Sequence, residues 1–137
     1  MTNQIQNPKF EKNQKQSPKF RNKKRKDYDL EERTAKFGEE IVGFTLSLPD
    51  TPVNHPLIGQ IVRSGTSIGA NYMEADTADS KKDFRYKIGL CRKESKETMH
   101  WLRIIAKANP SRKNECRELW QESREFVLIF SSILKRK

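Results

Sequence analysis

Residues 30–48 read LEERTAKFGEEIVGFTLSL, and within them Leu30, Thr34, Phe37, Ile41, Phe44 and Leu48 recur at spacings of four, three, four, three and four. A helix turns by about 100° per residue, so alternating steps of three and four keep these side chains on one stripe. Such a stripe must be covered by a partner, and the spacing predicts an amphipathic helix with one buried face. Asp29 is placed to cap its start, with Glu31 and Glu32 in the first turn, where carboxylates favour the positive end of the helix dipole. Pro49 and Pro52 stop it, so residues 49–55 form a connection.

The same rhythm continues downstream. A second helix starts near His55-Pro56, with the proline in a first turn where its missing N–H is harmless. Its seam is Leu57, Ile61, Ser64/Gly65, Ile68, Tyr72 and Ala75, bordered by small residues at Ser67, Gly69 and Ala70. Two mid-helix glycines cost about 1 kcal/mol each relative to alanine, which is tolerable if a neighbouring backbone comes close. A third helix spans about Ser80–Asn109. Ser80 and Asp83 resemble a capping box, and Phe84, Ile88, Cys91, Ser95, Thr98, Leu102 and Ile105 form the seam. Asn109-Pro110 ends it. A fourth helix covers about Ser111–Lys135, with Leu119, Phe126 and Ile133 on one stripe and Trp120, Val127 and Leu134 beside it. Phe130 and Ile129 widen that apolar face beyond the other three. No run alternates by two, so no strand is expected. Long helices joined by short loops pack antiparallel, and the fold predicted for residues 28–137 is an all-α, up-and-down four-helix bundle.

Charge divides the chain differently. Of the formal +10, residues 1–27 carry nine Lys/Arg against two acids, whereas residues 28–137 carry nineteen against sixteen. The first 27 residues are rich in Asn, Gln, Lys and Pro and nearly free of aliphatics. They cannot bury enough surface to offset ordering entropy, and the expectation is a disordered basic tail. Within it Gln6-Asn7-Pro8-Lys9-Phe10 is echoed by Gln16-Ser17-Pro18-Lys19-Phe20, two phenylalanines set among lysines that could stack on unpaired bases. Lys19, Arg21, Lys23, Lys24, Arg25 and Lys26 are the candidate phosphate contacts, because clustered cations bind polyanions through counterion release with little sequence preference.

Other chemistries lack a necessary part. No stretch approaches the ~20 apolar residues of a membrane span, and the N-terminus has no apolar core of a signal peptide, which points to a cytoplasmic protein without membrane contact. Cys91 and Cys116 have neither CxxC nor zinc-ligand spacing and are read as reduced thiols. The two histidines, His55 and His100, belong to different helices. Glu97-Thr98-Met99-His100 supplies one Glu-x-x-His, but a di-iron bundle site needs two. RSGTSIG at 63–69 lacks the Lys-Ser/Thr of a phosphate loop and no strand precedes it. The reading is of no catalytic residue, no metal, no cofactor and no small-molecule substrate.

Arg63, Asn71 and Glu74 flank the small-residue face. If the chain folds back at 79–80, Arg63 falls opposite 94–97, and Asn71 and Glu74 opposite 85–88. Ion pairs there would set helix register and contribute little if exposed.

Arg63-Ser64-Gly65-Thr66-Ser67-Ile68-Gly69-Ala70-Asn71, followed by Glu74-Ala75, resembles the second-helix signature of the four helix bundle protein family, whose founders are encoded by intervening sequences in bacterial 23S rRNA genes. The likeness runs on through Ser80–Phe84, Lys87, Lys93-Glu94, Glu97-Thr98 and Trp101–Ile105. His100 stands where a tyrosine is usual, and Gly69 where many members have proline. The resemblance implies a pentameric, barrel-like assembly, with Arg63, Ser67, Asn71, Glu74, Glu94 and Glu97 as structural signature residues. The chain is also similar to the accessory variability protein of diversity-generating retroelements, a basic pentamer that partners a reverse transcriptase and nucleic acid. The functional expectation is a non-catalytic accessory protein that binds nucleic acid, RNA in preference, as a ring-shaped homo-oligomer. The alternative is an oligomeric scaffold that docks a protein such as a reverse transcriptase.

Overall fold

The computed structural model describes residues 25–136, with side chains from Leu30 onward. Four helices follow one another: α1 (Arg25–Leu46), α2 (Asn54–Asp76), α3 (Lys81–Ala108) and α4 (Lys113–Lys135), with a 3₁₀ turn, Pro110–Arg112, before the last. No strand occurs among the described residues. Contacts across each seam run in opposite directions. Arg63 meets Glu94 while Glu74 meets Lys87, and Arg85 reaches Leu134 O while Arg92 reaches Ser131. Neighbouring helices are therefore antiparallel, as their short connections require.

The stripe from which the fold was read is the buried one. Leu30, Thr34, Phe37, Ile41, Phe44 and Leu48 are all buried, as are Ile61, Ser64, Gly65, Ile68, Tyr72 and Ala75 on α2. Ile88, Cys91, Ser95, Thr98, Leu102 and Ile105 do the same on α3. On α4 the core positions are Cys116, Ser123, Phe126, Phe130 and Ile133, while Leu119, Trp120 and Val127 are half-buried on its flanks. The broad apolar face of α4 is thus largely consumed within the bundle itself. Ser80 caps α3 by accepting from Asp83 N at 3.0 Å, and Asn109 ends it.

Helix α1 begins at Arg25, four residues ahead of Asp29, so Asp29 lies within the helix and is not its cap. Periodicity marks where burial starts, and nothing among Arg25–Tyr28 breaks a helix earlier. The last three positions of the expected tail, 25–27, are accordingly helical, and the rest of that tail lies outside the described residues.

Two opposite packing solutions hold α1. Against α2 the backbones nearly touch: a Cβ built on Gly65 would stand 3.0 Å from the Ile41 side chain, and one on Gly69 3.4 Å from the Thr34 carbonyl. Against α4 the gap is filled by rings, Phe37 meeting Phe126 edge-on at 5.4 Å and Phe130 lying 6.2 Å from Phe126. Buried hydroxyls do not leave orphaned polar atoms. Thr34, Ser95 and Ser123 each donate to the carbonyl four residues back, and Thr98 Oγ1 also pairs with Ser64 Oγ across α2 and α3 at 2.8 Å. Small polar side chains thereby allow close helix approach without a desolvation penalty. Both cysteines are buried free thiols, Cys91 pushed up to about 12 and Cys116 to about 11 by desolvation.

Candidate nucleic-acid interface

Helix α4 carries its charges in two files. Glu115, Glu118, Glu122 and Glu125 follow at spacings of three, four and three, so they share one flank. Lys113, Arg117 and Arg124, four and seven residues apart, share another. The core stripe lies between them, so packing α4 into the bundle turns the acids toward α1 and the bases toward α3.

The acidic flank is built into the fold. Glu122 takes a bidentate bond from Arg33 of α1 at 2.7 and 2.8 Å, and the same guanidinium lies 5.3 Å over the Phe126 ring. Glu115 pairs with Arg112, which also bonds Ser47 at the end of α1 and covers the Phe44 ring. That bond raises the Arg112 pKa and lowers that of Glu115. Glu40, Glu115, Glu118 and Glu122 all line a groove on this side.

The basic flank has no such partners. Between α3 and α4 runs a groove of about 340 Å³ whose floor is Leu102, Ala106, Cys116 and Trp120. Arg103, Lys113 and Arg117 form its rim, exposed, and no carboxylate lines it. None of the three makes an ion pair or side-chain hydrogen bond among the described residues. Arg124 lies one heptad beyond Arg117 on the same exposed file. Unpaired cations around a half-buried indole, in a groove without acids, form a surface that attracts polyanions and offers a ring for stacking.

The residues singled out from sequence fall elsewhere. Lys19, Arg21, Lys23 and Lys24 lie outside the described residues. Arg25 and Lys26 open α1. Arg63 meets Glu94 at 3.2 Å and also Glu97, which accepts from Trp101 Nε1 at 3.1 Å; Lys87 meets Glu74 at 2.8 Å. The indole N–H, followed by Arg63, holds the Glu97 carboxyl below its ordinary pKa, and the bond to Glu97 raises that of Arg63. Ser67 and Asn71 bond backwards within α2, at 2.6 and 2.9 Å. This α2–α3 ladder is mutually satisfied and calls for no ligand, and its exposure limits what it contributes to stability. RSGTSIG lies inside a continuous helix, not in a loop. His100 packs edge-on to Trp101 at 4.9 Å, and no group of metal-ligating side chains occurs among the described residues. No helix among these residues is long and apolar enough to cross a membrane.

The basic groove itself was missed at the sequence level. Its signal was present in the spacing of the α4 charges, but a near-balanced total over residues 28–137 concealed it.

The class of protein is thus an antiparallel four-helix bundle with segregated surface charge. The chain belongs to the 23S rRNA-intervening sequence protein family, whose profile matches residues 26–132. A crystal structure of a protein of unknown function from the S23 ribosomal protein family of Bacteroides thetaiotaomicron is similar. It is 32% identical, covers 81% of this chain and 99% of its own, and superposes with a TM-score of 0.75. No curated protein matches the chain.

Proposed function

We propose that the protein is a non-catalytic, nucleic-acid-binding accessory protein acting as a ring-shaped homo-oligomer. The observation that carries the reading is the row of uncompensated cations, Arg103, Lys113 and Arg117, around Trp120. A polyanion on that groove would also meet Arg124, while the acids of α4 face the other way. The N-terminal segment adds Lys19, Arg21, Lys23 and Lys24 as a second, sequence-indifferent set of phosphate contacts. RNA is the favoured ligand because the family is named for sequences intervening in 23S rRNA. Several copies in one ring would bring several such surfaces to one strand and raise avidity without new contacts.

Binding of a single-stranded RNA oligonucleotide, followed by fluorescence anisotropy across a salt series, tests this directly. Arg103→Ala/Arg117→Ala is expected to flatten the dependence of log affinity on log salt by roughly 1.4, about 0.7 for each lost phosphate contact. Removing residues 1–24 should flatten it further. Unchanged slopes in both variants would eliminate the nucleic-acid reading. For the ring, light scattering at micromolar concentration should return a multiple of the 16.1 kDa chain mass. A monomer there would remove the ring from the proposal.

A further inference from the structure

On the far side of the bundle, α1 and α2 enclose a second groove of about 580 Å³. Its floor is where the two backbones nearly touch, at Gly38, Thr66 and Gly69. Ala35, Val42, Ala70 and Met73 make it apolar, with Val42 38% and Met73 56% exposed. Glu31 and Glu39 stand on its rim, with no ion-pair partner among the described residues. An apolar trough with an anionic rim fits an apolar side chain flanked by cations. The same face of a second copy would set carboxylates against carboxylates, which disfavours a two-fold pairing through this groove.

The complementary pattern occurs twice in this chain, at Pro8-Lys9-Phe10 and Pro18-Lys19-Phe20, both outside the described residues. Tether length permits both to arrive. Phe20 lies five positions before Arg25, which allows at most ~17 Å of extended chain. The distance along α1 from Arg25 to Glu31, at the near end of the groove, is ~9 Å, which leaves chain for the reversal at the start of the helix. Phe10, fifteen positions before Arg25, has ~50 Å of chain available, against ~26 Å from Arg25 to Val42. A tether this short holds the segment at an effective concentration in the millimolar range, so weak contacts suffice.

We propose that the α1–α2 groove docks the Pro-Lys-Phe elements of the chain's own N-terminal segment. The aromatic rings would fill the apolar floor, Phe20 at its Glu31–Met73 end and Phe10 toward Val42, with the lysines meeting Glu31 and Glu39. Docking sets part of the segment's positive charge against protein carboxylates, so RNA and the groove compete for it. The competition rests on the nucleic-acid reading above; the docking does not.

A spin label at Ser17→Cys in the full-length chain provides the test. Cys91 and Cys116 are buried with raised pKa values, so the label goes to position 17. Loss of the Met73 and Ala35 methyl NMR signals is expected, with the methyls of Leu128, half-exposed on α4, unaffected. The loss should vanish in Phe10→Ser/Phe20→Ser, and it should be absent in a mixed sample where the spin label and the observed methyls sit on different chains. Broadening spread evenly over the bundle, or unchanged by the double variant, would overturn the docking. Broadening of isotope-enriched, label-free chains mixed with spin-labelled, natural-abundance chains would overturn the intrachain assignment and give the segment to a second copy. A 20-nucleotide oligouridine should restore the Met73 signal. If the RNA binds by anisotropy without restoring it, the competition is wrong. If the RNA does not bind at all, the nucleic-acid function fails while the docking stands.

Discussion

Truncating Phe126 to alanine is expected to destabilise the bundle by about 3–5 kcal/mol. The side chain is fully buried, edge-on to Phe37 at 5.4 Å, with Phe130 on one side and the Arg33 guanidinium 5.3 Å over its face. It bridges α1 and α4, the pair joined by side chains and not by close backbones. Collapse into the space left behind would require α1 to move, and α1 is fixed against α2 by the tight contacts at Gly65 and Gly69. The cavity therefore stays largely open, which puts the loss at the upper end of what ring removal produces. Urea unfolding followed by circular dichroism measures it. A loss below about 1.5 kcal/mol would mean that the seam closes and that α1 is held less firmly than its packing implies.

Replacing either Asn54 or Asn109 by leucine is expected to destabilise the protein by about 2–3 kcal/mol, and replacing both by less than the sum. The two side-chain amides bond reciprocally, Nδ2 to Oδ1 at 2.9 Å in both directions, at the start of α2 and the end of α3. Their remaining donors go to Pro49 O and Ile105 O, so the pair is satisfied although buried. A single substitution strands a donor and an acceptor on the surviving partner, whereas the double one removes both members together. Coupling of about 1 kcal/mol or more in the double-mutant cycle is the expected result. Strict additivity would show that the amides act separately.

Much of the fold was legible in the sequence because each helix buries one stripe, and stripes leave a period. The seam from Leu30 to Leu48 needed no tertiary information. The Asn54–Asn109 pair did, since two polar residues 55 positions apart at helix ends give no periodic signal. Gly65 and Gly69 announced a close approach but not the identity of its partner, which turned out to be α1 through Ile41 and Thr34. The start of α1 was misplaced for the converse reason: Arg25–Asp29 are helical without belonging to the periodic seam. The basic groove is an intermediate case. Its residues are spaced so that a helical projection of α4 separates them from the glutamates, yet the groove exists only once α3 supplies Arg103 and Leu102. The cations first singled out, in the N-terminal segment, were found by density alone, and that measure cannot detect charges sorted by face.

Sorting the charges of α4 onto two flanks also affects how the molecule arrives at a partner. With Arg103, Lys113, Arg117 and Arg124 unpaired among the described residues on one flank, and Glu118 and Glu125 left on the other after Arg112 and Arg33 match Glu115 and Glu122, the two flanks form a permanent dipole roughly perpendicular to α4. In the field of a polyanion such a body would experience a torque as well as an attraction, turning so that Arg103, Lys113 and Arg117 lead and Glu118 and Glu125 trail. The orientational search that ordinarily slows association is thereby narrowed before contact.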